Sequence, residues 1–192
     1  MAAIQDRPFA WDDIQPITQF LLESYTLTGR LFNWEPRRWQ GTIFHRDDAD
    51  MARLREELPQ QVRLWLDGKQ IVGVVIPEYT GGIYLQVHPE YRQIEAAMLD
   101  WTEANQPRGK DDQGNPCLFV WAEEHDSLRN DLLSQRGYTR TEGHENIRRR
   151  PMTQPVLDLS VPQGYQVRSM RIDSQDQQKL ATLLNAAFNR SI

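Results

Sequence analysis

The sequence predicts a mixed α/β (α+β) domain in which a mostly antiparallel central sheet is flanked by helices. Three observations predict it. Apolar residues recur at helical spacing in two N-terminal segments, the period switches to two over residues 62–87, and helical and extended segments then alternate to residue 150. With 192 residues, 39% hydrophobic and 26% charged, the chain can bury one sizeable core but not those of two complete domains.

A short first strand is expected from Ile4 to Phe9. Asp12 and Asp13 then stand where a helix cap belongs, and Ile14, Ile17, Leu21 and Tyr25 follow at spacings of three and four. Pro16 confines the start of that helix to its first turn. Trp34 and Trp39 lie in a loop or short helix, read first as packing and second as an aromatic pocket wall. A second helix is expected from Asp48 to Leu58, carrying Met51, Leu54 and Leu58, with Pro59 as its stop. Val62, Leu64 and Leu66 then alternate, Asp67-Gly68 makes a hairpin turn, and Lys69 to Glu78 forms the next strand. Gly81-Gly82 turns into a third strand, Ile83 to Val87.

Pro89 closes this meander, and Tyr91 to Glu103 reads as a helix with Ile94, Ala97, Met98 and Trp101 on one face. A polar loop, Pro107 to Pro116, leads to a buried strand from Cys117 to Ala122. The crossover helix before that strand implies that it runs parallel to Ile83–Val87. A helix from Asp126 to Arg136 follows, ended by Gly137 as a C-cap, and the chain from Tyr138 is extended.

The charge balance, 22 basic against 27 acidic side chains, disfavours nucleic acid and anionic membrane surfaces as partners. Arg148-Arg149-Arg150 reads as a solvated strand end. The single cysteine, Cys117, excludes an intramolecular disulfide and sits in an apolar string that suggests a buried thiol. The charged start and the brevity of the longest apolar run, Ile71 to Ile76, show neither targeting nor spanning segments, so a cytoplasmic location is expected. His45, His125 and His144 share no metal-ligand spacing with Cys117 or one another, and no metal is expected.

The string Val87-His88-Pro89-Glu90-Tyr91-Arg92, together with the element order over residues 3–150 and Arg136-Gly137-Tyr138, resembles the GNAT superfamily of N-acetyltransferases, the acyl-CoA N-acyltransferase fold. The resemblance implies acetyl-CoA as cosubstrate and a small amine as acceptor. It places Val87 and His88 beside the pantetheine arm, and Arg92, Gln93, Ile94, Ala96 and Ala97 around the diphosphate at a helix start. Here the sequence departs from the family. No glycine stands between Arg92 and Ala97, and Glu90 and Glu95 bring carboxylates to a helix start that should receive an anion. Leu133 occupies the position of the family's proton-donating tyrosine. Glu123 and Glu124, after the expected buried strand, are candidate general bases, with a surface acidic pair as the plainer reading, and His88 could also act. The expectation is a degenerate cofactor grip. Two functions remain open: an N-acetyltransferase with catalysis outside this half, its acceptor a cationic amine on the acidic charge balance, or a non-enzymatic ligand- or partner-binding module on a decayed fold.

Residues 151–163, with three prolines, read as a linker. After them Tyr165-Gln166-Val167-Arg168, Asp173, Leu183-Leu184 and Phe188 echo Ile4-Gln5-Asp6-Arg7, Asp12, Leu21-Leu22 and Tyr25. Residues 164–192 are therefore expected to open a second, similar domain. The apolar stripe of the helix Gln175 to Phe188 implies a further C-terminal partner domain that would cover it.

Overall fold

Alternation along the strands sorts the apolar side chains onto two faces of one sheet, and each face is then covered by helices. The computed structural model describes residues 3–29, 33–44, 48–146, 148, 150, 151, 153, 160–171 and 175–188. It divides into two units, Met1–Thr141 and Glu142–Ile192.

In the first unit, β1 (Gln5–Pro8), β2 (Arg63–Asp67), β3 (Gln70–Tyr79) and β4 (Gly82–Val87) pair antiparallel in chain order. β7 (Phe119–Val120) adds to β4 in parallel, as the crossover implies. The helices α1 (Ile14–Thr28), α2 (Pro36–Ile43) and α3 (Asp48–Gln61) belong to the first face. There Ile17, Phe20, Leu21, Trp39 and Leu58 pack with Leu64, Val74 and Ile76 in one cluster. α4 (Glu95–Asn105) and α5 (Ser127–Gln135) belong to the second face, where Ile94, Met98, Leu99 and Leu133 pack with Trp65, Val75, Leu85 and Val87. Trp34 and Trp39 are both buried, so packing is their role.

Several expectations are corrected. Pro59 does not stop α3, which runs to Gln61. Only the last turn is affected, and the amide of Val62 closes it on the Leu58 carbonyl at 2.8 Å. The α-helix after β4 begins at Glu95, not Tyr91, because Pro89–Ile94 forms a tighter 3-10 segment with Tyr91 at φ −118°, ψ 25°. Ala97 is exposed; the buried face of α4 is Glu95, Met98, Leu99 and Thr102. The strand expected from Cys117 to Ala122 shrinks to β7 and is half-buried. Pro116–Cys117 is drawn into a separate ladder, β6, with Gly109–Lys110, β5, which leaves Cys117 only half-buried. The described residues after Tyr138 form no strand, and Arg148 and Arg150 are exposed irregular chain; Arg149 lies outside the described residues, as does His45. Gly137 does cap α5: its φ is +81°, its amide reaches the Ser134 carbonyl and that of Tyr138 the Leu133 carbonyl.

Asp13 occupies the N-cap position of α1 but makes no cap bond. Its carboxylate is instead held by both terminal nitrogens of Arg7, at 2.6 and 2.7 Å, and by the Ala10 amide at 2.7 Å. Burial pushes this carboxyl up, yet Arg7 and the amide outweigh it and hold it below its ordinary range. The second unit repeats this clasp. Arg168 grips Asp176 with both terminal nitrogens, at 2.5 and 2.7 Å, and the Arg171 amide completes it at 3.1 Å. Asp176 opens α6 (Asp176–Phe188). Leu180, Leu183 and Leu184 follow Asp176 at the spacings at which Ile17, Phe20 and Leu21 follow Asp13. These spacings pair Phe20-Leu21 with Leu183-Leu184, one position away from the echo read in the sequence, and Asp13 with Asp176; Asp173 lies outside the described residues. Where Ile17, Phe20 and Leu21 are buried, Leu180, Leu183 and Leu184 are 41%, 63% and 38% exposed.

Candidate functional site

β4 has two unequal edges. Along one it pairs with β3 to its end, Val87 opposite Gly73. Along the other, β7 pairs only with Gly82 and Ile83, and the Trp121 amide on the Ile83 carbonyl is the last bond between them. Beyond Ile83 the two strands part. Because main-chain groups alternate in direction along a strand, the His88 amide turns to the Val72 carbonyl of β3, while Val87 turns toward the open edge.

The Val87 groups are taken by the chain itself. The Asn33 carboxamide donates to the Val87 carbonyl at 2.8 Å and accepts from its amide at 3.0 Å, as a neighbouring strand would. The adjacent Trp34 amide donates to the Oε1 atom of buried Gln86 at 2.7 Å. His88 is buried, and its Nδ1 accepts from the Glu90 amide at 3.2 Å, which makes it the cap of the 3-10 segment. Its ring stands edge-on to Tyr91, whose hydroxyl donates to Asp67 at 2.9 Å.

Past this segment lies a cluster of four charges, Glu95 and Arg129 buried and Arg92 and Asp126 half-buried. Arg92 bonds Glu95 through Nε and Asp126 through Nη2, at 2.8 and 2.9 Å to its two oxygens. Arg129 donates Nε to the other Glu95 oxygen at 2.8 Å. Glu95 is 0% exposed and Arg129 5%. Burial lowers the Arg92 pKa, but the bonds to Glu95 and Asp126 prevail and raise it above the ordinary guanidinium value. Glu95, expected to repel an anion, is therefore neutralised by two cations.

The remaining expected site residues scatter. Gln93 and Ala97 are exposed, Ile94 is part of the core, and the Ala96 carbonyl accepts from Arg136 at 3.2 Å. Glu123 is half-buried with its carbonyl bonded to Asn130, and Glu124 is an exposed partner of Arg140 at 3.4 Å. Leu133 packs in the second core. On the first face, Tyr84 stacks on Trp121 at 5.2 Å and 11°, and Arg38, ion-paired with Glu78 at 2.6 Å, lies over the rings of Trp34 and Tyr84. Tyr138 is pushed up to about 12, by burial first and then by Glu103, whose carboxylate its hydroxyl meets at 3.3 Å.

Asn33 and Arg129 escape sequence reasoning. Asn33 acts across 54 positions and has no local pattern around it; Arg129 sits at a helical position whose burial only the packing of α5 on α4 reveals. Asp126 was legible as a helix start, and its side chain does accept from the Arg129 amide, at 3.2 Å. Among the described residues no group of three or more His, Cys, Asp and Glu side chains could hold a metal ion, and no helix is long and apolar enough to cross a membrane.

No protein-family profile and no curated protein matches the sequence. Similar solved structures include a possible acetyltransferase from Clostridium difficile 630, at 12% identity and TM-score 0.43 over 77% of this chain and 98% of that one. A predicted acetyltransferase from Clostridium acetobutylicum, solved with acetyl-CoA, is 15% identical with TM-score 0.41 over 76% and 96%. PaiA N-acetyltransferase from Thermoplasma acidophilum, in complex with coenzyme A, is 12% identical with TM-score 0.42 over 74% and 93%. The likeness concerns fold and nothing finer.

Proposed function

We propose that this chain is the GNAT-like half of an N-acetyltransferase that moves an acetyl group from acetyl-CoA to an amine, and that the half itself is non-catalytic. One observation carries the reading: both Val87 main-chain groups, on the edge where β4 and β7 part, are bonded to Asn33. An acyl-CoA arm that pairs with a strand edge needs such groups unoccupied, and a thioester oxygen needs an amide to polarise it. The residues present do not fit acetyl-CoA. The helix start beyond carries Glu95, and side chains rather than glycine fill positions 93–97. Val87, His88, Arg92, Gln93, Ile94, Ala96 and Ala97 are thus family-equivalent positions without the family's grip, and Glu123 and Glu124 remain the candidates for a base.

The repeated clasp supports a tandem arrangement: residues 1–150 as the degenerate domain, 151–163 as the linker, and 164–192 as the opening of a second copy, although the strand expected at its start is irregular chain among the described residues and only its helix, α6, is formed. Continuation of the natural reading frame into further alternating strands and helices tests that arrangement, and a stop codon directly after Ile192 refutes it. The acidic net charge of −5 favours a small cationic amine as acceptor. The occupied Val87 edge equally favours a second reading for the first unit alone, a non-enzymatic ligand- or partner-binding module on a decayed acyltransferase fold.

Calorimetric titration of the chain with acetyl-CoA tests the proposal. The expected result is no saturable heat; tight, stoichiometric binding overturns the non-catalytic assignment.

A further inference from the structure

We draw no further inference here: the strongest candidate, the exposed apolar face that Leu180, Leu183 and Leu184 form on α6, carries none because nothing in the structure shows what covers it.

Discussion

Replacing Asn33 by alanine removes two hydrogen bonds at once, and both end on the main chain of Val87, which is 0% exposed. A net contribution of about 1 kcal/mol per bond sets a floor of about 2 kcal/mol. A buried amide or carbonyl left unpaired costs about 1–3 kcal/mol, but water can enter where β4 and β7 part and recover some of it. The expected loss is therefore about 2–3 kcal/mol, a rise of about 30- to 150-fold in the unfolding equilibrium constant. Urea denaturation measures it as a lower midpoint with an unchanged slope, and hydrogen exchange adds a site-specific readout in weakened protection of the Val87 amide. Asn33→Asp sharpens the comparison. Its carboxylate still accepts from the Val87 amide but confronts the Val87 carbonyl with a negative oxygen, so it should be no better than alanine at neutral pH. A loss below about 0.5 kcal/mol for Asn33→Ala, with Val87 protection unchanged, refutes the view that Asn33 serves as the missing neighbour of β4.

Two other perturbations follow from the geometry. Gly81 has φ +84°, and a Cβ there would lie 2.3 Å from the amide nitrogen of Gly109, so Gly81→Ala should destabilise by about 3 kcal/mol or more in a thermal melt; a loss under about 1 kcal/mol contradicts that close approach. Tyr138, raised to about 12 by burial and by Glu103, keeps its proton in the folded state after an unfolded chain loses it near pH 10. Its contribution is thus complete below pH 10 and lost as pH climbs toward 12, and Tyr138→Phe should flatten that decline relative to wild type; identical pH profiles for the two proteins contradict the assignment.

How much of this was legible in sequence depended on the range of the interaction concerned. The meander of residues 62–87 was readable because alternation is a property of neighbouring residues: Leu64 and Trp65 fall in opposite cores as their positions demand. The parallel pairing of β7 followed from the crossover rule, and the end of α5 from Gly137. The lack of glycine and the surplus of carboxylate at the helix start after β4 were visible, but not that Glu95 would be paired with two arginines instead of exposed as a repulsive charge. Errors came where tertiary packing outweighs a local signal. Pro59 reads as a stop but sits in a last turn anchored by buried Leu58, and Cys117 reads as core but joins a surface ladder.

By itself, the sequence determined the order and type of most elements up to α5, the sheet's two apolar faces and the echo of the N-terminus after residue 164, all of which are written in the spacing of residues a few positions apart. Only the tertiary structure decided that Asn33 meets Val87, that Arg129 meets Glu95, and that Asp13 and Asp176 each sit in an arginine clasp. The first two depend on where distant segments arrive when the two cores close. The clasps are nearer in sequence, but a charged side chain carries no mark of which opposite charge will lie within bonding distance until the backbone between them has turned.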